Sequence, residues 1–325
     1  MNVEHLLDVF TTIDADSAGV WEACINFMHH LYWHKERLVI LKPKIEGLPD
    51  DHPSKPDCLW KLGRLFGLVG NRVEQKRLLT YALTFSRGQG SNAWAAGVLS
   101  DLSNSNRMMG LYDEGIQRGR EALKIWESLN DTVGLVQCLI NLTQLLCEDG
   151  QLDAAEETAS RAINLLSEKD DQFLVCKSHH ALGDVYGSKG EIEKVIHQYE
   201  LVLGIASSFD WPGELFWAHY SLATLFRGEE RFDDANAHAE HAKSYTDSSA
   251  YHLGRAIELQ AGVWYRQDRL EEARSEALRA ADVYEKLGPG KDMCWKLNKR
   301  LVELILSRVR ATATKERRSD CPKDK

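Results

Sequence analysis

The sequence predicts an all-α fold in which pairs of antiparallel helices repeat along the chain. Only seven prolines occur in 325 residues, and none lies between Asp57 and Trp211. A long stretch is therefore free of the residue that most strongly interrupts helix interiors. Apolar and small residues also recur with a period of 40 residues, which is typical of stacked helical repeats.

Each repeat begins with an apolar anchor in its first helix. The anchor recurs at intervals of 40 residues, with a last interval of 38, at Leu62, Leu102, Leu142, Leu182, Leu222 and Gln260. Positions four apart share one helix face. Four residues after each anchor stands a mostly large residue, at Phe66, Asn106, Leu146, Tyr186, Phe226 and Trp264.

A turn and a second helix follow the anchor. The turn is predicted eight residues after it, at Gly70, Gly110, Gly150, Gly190, Glu230 and Asp268. Glycine ends a helix because it accepts the left-handed conformation. Twenty residues after the anchor stand mostly alanines, at Ala82, Ala122, Ala162, Val202, Ala242 and Ala280. Such small residues let the second helix approach its neighbours, and the pairs must stack to bury their apolar faces.

This pattern resembles the tetratricopeptide repeat (TPR), most clearly at Ala181–Tyr186 with Gly190, and at Leu152 with Ala155. The resemblance covers roughly residues 56–287. It implies a right-handed superhelical solenoid of antiparallel helix pairs, whose first helices line a concave groove for a peptide or protein. The usual repeat is about 34 residues long. The longer period is similar to that of long-helix members, such as kinesin light chains and the polarity adaptors that bind Leu- and Gly-rich peptides.

The first and last repeats differ from the middle ones. The first has Gln75 and Leu79 where small or aromatic residues are usual in the family. The last, with Leu270–Arg274 and Ala280–Tyr284, resembles the C-terminal arrays of fungal signal-transducing NTPases, which carry a NACHT or NB-ARC engine upstream. That resemblance implies, as an alternative to a scaffold, a sensor array whose engine domain is absent from this chain.

Four segments are expected along the chain. Residues 1–54 form an N-terminal helical cap or degenerate repeat, and a rigid connector with four prolines runs from Pro43 to Pro56. Residues 55–288 hold six repeats, and residues 289–310 form a capping helix that covers the last repeat, as solenoids require. Residues 311–325 form a disordered basic tail.

Composition and charge exclude several classes of protein. The number of cysteines, seven, is odd, and no two of them form a C-x-x-C motif. These two features argue against a disulfide framework and a zinc ribbon, and they favour a reducing, cytoplasmic setting. No apolar stretch is long enough to span a membrane. Residues 291–325 carry a net charge of +6, so the remainder of this chain of net charge −9 carries −15. An acidic body with a basic end is unlike a nucleic-acid binder.

No motif predicts catalysis, a cofactor or a metal. Gly290-Lys291 lacks the first glycine of a phosphate loop, and Asp292 stands where its Ser or Thr is required. His30 and His34 could share a metal through one helix face, but no third ligand is near in sequence, and structural roles are favoured. His238 and His241 are expected on the solvated face of a second helix. The sequence therefore indicates a non-enzymatic protein.

The remaining candidate site is the groove of the first helices, where a solvated face with incidental polarity is the alternative. Asn and Gln can pair with the backbone of an extended peptide, and Arg and Lys can hold carboxylates. Lys177, Arg227 and Arg266 are predicted to attract an acidic segment, while Asn141 and Gln144 hold its backbone. The candidates are Trp60, Arg64, Asn104, Arg107, Asn141, Gln144, Lys177, His180, Tyr220, Arg227 and Arg266, with Lys61, Asp184, Thr224 and Glu258 in the same helical phase.

Overall fold

The computed structural model describes residues 34–68, 70–89, 92–167, 171–246, 250–286, 303–304 and 307–308. Within these ranges the chain forms thirteen helices and no strand. The predicted N-terminal cap lies largely outside them, as do most of the predicted capping helix and the tail. Two compact units are present, residues 1–151 and residues 152–325, and the division falls inside the third predicted repeat.

The first unit contains six helices in which each helix contacts the next along the chain. Short connections of a few residues make successive helices antiparallel. Leucines from the first three of these helices form much of its core. The helices are α1 (His34–Glu46), α2 (Lys55–Leu68), α3 (Arg72–Gln89), α4 (Asn92–Met108), α5 (Tyr112–Leu129) and α6 (Thr132–Glu148).

The second unit contains seven helices and follows the same rule. Its most extensive helix–helix contacts are within the pairs of first and second helices. The helices are α7 (Leu152–Asn164), α8 (Gln172–Lys189), α9 (Ile192–Ser208), α10 (Pro212–Gly228), α11 (Phe232–Ser244), α12 (Ala250–Arg266) and α13 (Leu270–Lys286).

The predicted turn residues all adopt the left-handed backbone conformation. Gly70, Gly110, Gly150 and Gly190 do so with φ between 71° and 81°. Glu230 and Asp268 adopt it as well, with φ of 59° and 63°. An L side chain makes this conformation less favourable by roughly 1–2 kcal/mol, so the geometry of the turn decides the conformation even where glycine is absent.

The residues twenty positions after the anchor are fully buried in every repeat, including Val202. The anchors are buried too, and even Gln260 is only 2% exposed. Tyr186 and Trp264, four residues after their anchors, are half-buried. The 40-residue pattern therefore marks the packing surfaces of both helices.

Gln75 and Leu79 fit because the first repeat exchanges small and large residues between its two helices. A Cβ atom on Gly63 would lie 3.1 Å from the Leu79 side chain, and one on Gly67 would lie 2.5 Å from the Gln75 amide. The small residues therefore stand on the first helix, α2. The fourth repeat does the same at Gly183, where a Cβ would lie 3.2 Å from the Tyr199 ring.

Overpacking should expose how tightly the small residues hold the helices together. Ala162 is 0% exposed on α7, and α7 packs against α8. Ala162→Trp should destabilise the protein by about 1–3 kcal/mol or more, and hydrogen-exchange protection should fall in α7 and α8 together. Glu157→Trp, on the exposed side of the same helix, is the control. Equal stabilities of the two variants would contradict the packing role of Ala162.

Candidate functional site

The predicted groove residues lie on first helices that contact one another side by side. In the first unit α4 contacts α2 and α6, and in the second unit α10 contacts α8 and α12. We call the half-exposed side of these helices the groove face. Most of the predicted residues on it contact the adjacent first helix instead of projecting freely into solvent.

Trp60 and Arg64 in α2 both reach Asp101 in α4. The Trp60 indole Nε1 donates a hydrogen bond of 2.6 Å to Asp101 Oδ2, and Arg64 Nε lies 3.6 Å from the same oxygen. Burial raises the pKa of Asp101, and the two donors act against that rise. The indole also lies over Gly97, where a Cβ would come within 2.9 Å of the ring. Trp60 is therefore a connection between two repeats.

Arg107 in α4 is held on two sides. Its Nη1 atom forms an ion pair with Glu148 in α6. Its Nε and Nη2 atoms donate hydrogen bonds of 3.2 Å and 3.1 Å to Asn104 Oδ1. The side chain is only 18% exposed, so neighbouring groups of this chain already satisfy this guanidinium.

Asn141 and Gln144 are half-buried on α6. Among the described residues, neither side-chain amide has a hydrogen-bond partner. Each amide therefore keeps both donor and acceptor groups available. Their predicted role in holding a peptide backbone stays a prediction for the first unit.

In the second unit, Lys177 and His180 of α8 meet Glu214 at the start of α10. Lys177 Nζ lies 2.7 Å from Glu214 Oε1 and 5.3 Å from the centre of the Phe173 ring. His180 Nδ1 lies 4.0 Å from Glu214 Oε2, and neither atom has a hydrogen-bond partner among the described residues. Lys177 is therefore already paired with a buried carboxylate.

A crevice of about 440 Å³ lies between α8 and α10. Glycines open it, because a Cβ on Gly187 would meet nothing closer than Val195 at 4.0 Å and one on Gly228 would meet nothing within 4 Å. On its rim, Tyr199 donates a hydrogen bond of 2.5 Å to Asp184 Oδ1. The lining includes Gly183, Gly187, Ser188, Tyr220, Thr224 and Gly228.

A buried polar network connects α10, α12 and α13 on the other side of Tyr220. Arg255 Nη2 donates a hydrogen bond of 2.6 Å to the Tyr220 hydroxyl, and Arg255 Nη1 lies 3.5 Å from Glu258 Oε2. Tyr284 donates a hydrogen bond of 2.9 Å to the same oxygen. Its ring lies against Gly254, where a Cβ would be 2.5 Å away. Burial raises the pKa of both Glu258 and Tyr220.

Arg266 and Arg227 differ in how they are satisfied. Arg266 is half-exposed, and its Nη2 atom lies 3.0 Å from Glu230 Oε1. Arg227 has no carboxylate within 4.0 Å among the described residues, although it is half-buried. Burial lowers the pKa of Arg227, the charges of Tyr220 and Glu258 act against that fall, and the charges of Arg266 and Arg255 add to it by less.

The groove face of the second unit is therefore less basic than the sequence indicated, because its cations have acidic neighbours. Sequence reasoning missed those neighbours and Arg255, since it examined each first helix separately. The signal was present as opposite charges about one repeat apart. Examples are Arg64–Asp101, Arg107–Glu148, Lys177–Glu214 and Arg266–Glu230.

The sequence matches the tetratricopeptide-repeat family over residues 94–168. Residues 94–168 are therefore similar to tetratricopeptide repeats. No curated protein matches the sequence, and the fungal part of the predicted resemblance stays a prediction.

Solved structures share the TPR fold. A Rap protein complexed with Competence and Sporulation Factor aligns with a TM-score of 0.65 at 11% identity, covering 95% of this chain and 92% of that chain. A tetratricopeptide-repeat protein from Parabacteroides merdae aligns with a TM-score of 0.62 at 15% identity, covering 90% of this chain and 100% of that chain. A third match is a STAND-class signal transduction ATPase from Pyrococcus horikoshii that has a tetratricopeptide repeat sensor. It aligns with a TM-score of 0.60 at 14% identity, covering 88% of this chain and 44% of that chain. Identities this low show the fold alone.

In the described part of the chain, no group of three His, Cys, Asp or Glu side chains is arranged to hold a metal ion. The same residues contain no helix long and apolar enough to cross a membrane. The pair His30 and His34 lies outside the residues whose side chains the structure describes, as do Gly290 and Lys291.

Three histidines do meet between the helices of the fifth TPR. His219 Nδ1 in α10 lies 2.9 Å from His238 Nδ1 in α11, and the His241 ring stacks on His219 with centroids 4.9 Å apart. The expectation that His238 lies on a solvated face is wrong, because this ring is half-buried against His219; His241 is exposed as expected. Burial and the two neighbouring rings lower the pKa of His219 to about 4.

Acid should destabilise this protein through His219. Because its pKa is lower folded than unfolded, its contribution to stability is complete above the ordinary value of about 6.5 and is lost as pH falls towards 4. The melting temperature should therefore drop between about pH 7.5 and pH 5, and His219→Gln should make that drop smaller. His197→Gln, at an exposed position on α9, is the control. An unchanged drop in His219→Gln would contradict the assignment.

Proposed function

We propose that this chain is a non-enzymatic interaction scaffold that binds a peptide or protein segment on the groove face of its second unit. The observation that carries the proposal is the crevice between α8 and α10. Its volume of about 440 Å³ is in the range of ligand-binding clefts, roughly 300–1,000 Å³. It lies on the face where the sequence placed its candidates, and it opens next to Tyr220.

The chemistry of the crevice suits an extended segment with one apolar side chain. Glycines and short polar residues line it, so a ligand side chain can approach the helix backbones closely. Asp184, Ser188 and Thr224 provide polar groups at its rim. Apolar walls with a few placed polar groups are typical of sites that bind and orient a ligand.

The comparisons support binding as the activity of this fold. The Rap structure contains a protein complexed with Competence and Sporulation Factor. That complex belongs to another protein at low identity, so it supports the class of activity and not the identity of the ligand. The same proposal includes a cytoplasmic location, which rests on the cysteine content. It also includes a partner that is neither nucleic acid nor membrane, which rests on the acidic charge and the lack of a long apolar stretch.

Three of the four described cysteines are buried thiols. Burial raises the pKa of the Cys58 and Cys138 thiols to about 11 and that of Cys176 to about 12. The reactive form of cysteine is the thiolate. These three thiols are therefore protonated at neutral pH and serve packing.

A second candidate function is a sensor array that regulates a STAND-type NTPase. The Pyrococcus horikoshii ATPase favours it, because that protein has a tetratricopeptide repeat sensor and this chain covers 44% of its length. An in-frame phosphate-loop sequence upstream of Met1 would support the sensor function. An independent stop codon in that position would favour the scaffold.

Filling the crevice should abolish binding without harming the fold. Leucine at Gly187 would enter the crevice, since its Cβ would contact only Val195 at 4.0 Å. Peptides would be selected on the wild-type protein from a random display library, and their Kd measured by fluorescence polarisation. Gly187→Leu should weaken binding tenfold or more, equivalent to about 1.4 kcal/mol.

The matched control is Gly204→Leu on α9. It is also an exposed helical glycine, and nothing lies within 4 Å of its Cβ position. Both variants should melt at or above the wild-type temperature, because glycine is a poor helix former. Failure to select any peptide, or equal affinity of Gly187→Leu and Gly204→Leu, would refute the proposed groove.

A further inference from the structure

Arg227 and Arg107 occupy equivalent positions three repeats apart. Arg107 is satisfied by Asn104 in its own helix and by Glu148 in the next first helix. In the repeat register, Thr224 stands in the place of Asn104 and Arg266 in the place of Glu148. Both acceptors of the first arrangement are therefore missing in the second.

The structure bears out this difference in contacts. The Thr224 hydroxyl donates a hydrogen bond of 2.9 Å to the Tyr220 carbonyl. Arg266 contributes a second positive charge where Glu148 contributes a negative one. The half-buried Glu258, whose charge acts on Arg227, is engaged by Arg255 and Tyr284. The described part of the chain supplies no carboxylate within 4.0 Å of Arg227.

Arg227 is nevertheless held in a defined place. Its Nη1 atom would be 2.5 Å from a Cβ on Gly262, so the guanidinium lies against the backbone of α12. Only a residue without a side chain leaves room for it there. The Nε atom of Arg255 is buried and also lacks a hydrogen-bond partner among the described residues.

The local charges do not balance. Arg227, Arg255 and Arg266 face two carboxylates, Glu258 and Glu230. One positive charge is left over, and the absent ion pair places it on Arg227. A guanidinium that is half-buried, held in place and without an ion pair among the described residues is positioned to bind a carboxylate from outside the chain.

We propose that Arg227 and Arg266 form a receptor for one carboxylate of the bound ligand, which takes the position that Glu148 takes beside Arg107. The inference rests on the proposed function, because it takes the ligand to be a peptide or protein segment. The carboxylate belongs to an Asp or Glu side chain or to a chain terminus. A guanidinium binds such a group through two parallel hydrogen bonds.

Stability measurements test whether Arg227 lacks a counterion. Arg227→Met removes an unpaired charge and keeps the apolar stem, so the melting temperature should equal or exceed that of wild type. Arg107→Met, the matched control, should lower it because Glu148 loses its partner. A loss in Arg227→Met as large as that in Arg107→Met would overturn the proposal.

Binding measurements with a defined probe test the receptor itself. Sodium succinate should raise the melting temperature of the wild type more than sodium chloride does at equal ionic strength. It should also shift the NMR signal of the Arg227 Nε–H in protein labelled with ¹⁵N-arginine. Arg227→Met and Arg266→Glu should lose the extra thermal shift. Equal responses of all three proteins would overturn the receptor, and a response to inorganic phosphate at tenfold lower concentration would overturn the choice of carboxylate.

The receptor and the crevice can fail separately. A succinate response that needs Arg227, together with no selected peptide, would support the receptor and refute peptide binding. Selected peptides that lose affinity in Gly187→Leu but bind Arg227→Met and wild type equally would support the crevice and refute the receptor. Selected peptides with an Asp, a Glu or a free C terminus should bind Arg227→Met at least tenfold more weakly.

Discussion

The fold depends on one steric constraint: at each contact between the two helices of a pair, one helix must present a small residue. In the second and fifth repeats the second helix provides it, with Gly115 and Gly119 or with Ala235 and Ala239. In the first and fourth repeats the first helix provides it instead. In the fourth repeat the first-helix glycines Gly183 and Gly187 also line the crevice, and Gly228 of α10 lines it from the opposite side.

Charges between adjacent first helices form a second layer of organisation. Each exposed ion pair contributes little to stability, typically about 0–1 kcal/mol. Together, however, they determine which groups are left to meet a ligand. Arg107 and Arg227 occupy the same position in their repeats. The next first helix offers Glu148 to Arg107, which forms an ion pair with it, but offers Arg266 to Arg227, which forms no ion pair among the described residues.

The sequence predicted the helices and turns well because glycine, alanine and leucine act locally and recur with one period. It could also place the groove residues by helical phase. It did not reveal their partners, because Asp101, Glu148 and Glu214 lie on the neighbouring helix, roughly one repeat away. The crevice was not foreseen, since it is defined by absent side chains. His238 was misplaced because its burial comes from a ring on another helix, which its own periodicity does not show.

Tyr284 shows that the groove face is not built by first helices alone. This residue belongs to α13, a second helix, yet its hydroxyl donates a hydrogen bond to Glu258. Glu258 lies beside Arg255, whose guanidinium donates a hydrogen bond to Tyr220. The polar lining is thereby tied to α13, the last of the thirteen described helices. Truncation of the chain before α13, or fusion of another domain directly after α12, would remove the Tyr284–Glu258 contact and so alter the ligand-facing surface. The useful boundary for such designs lies beyond residue 284.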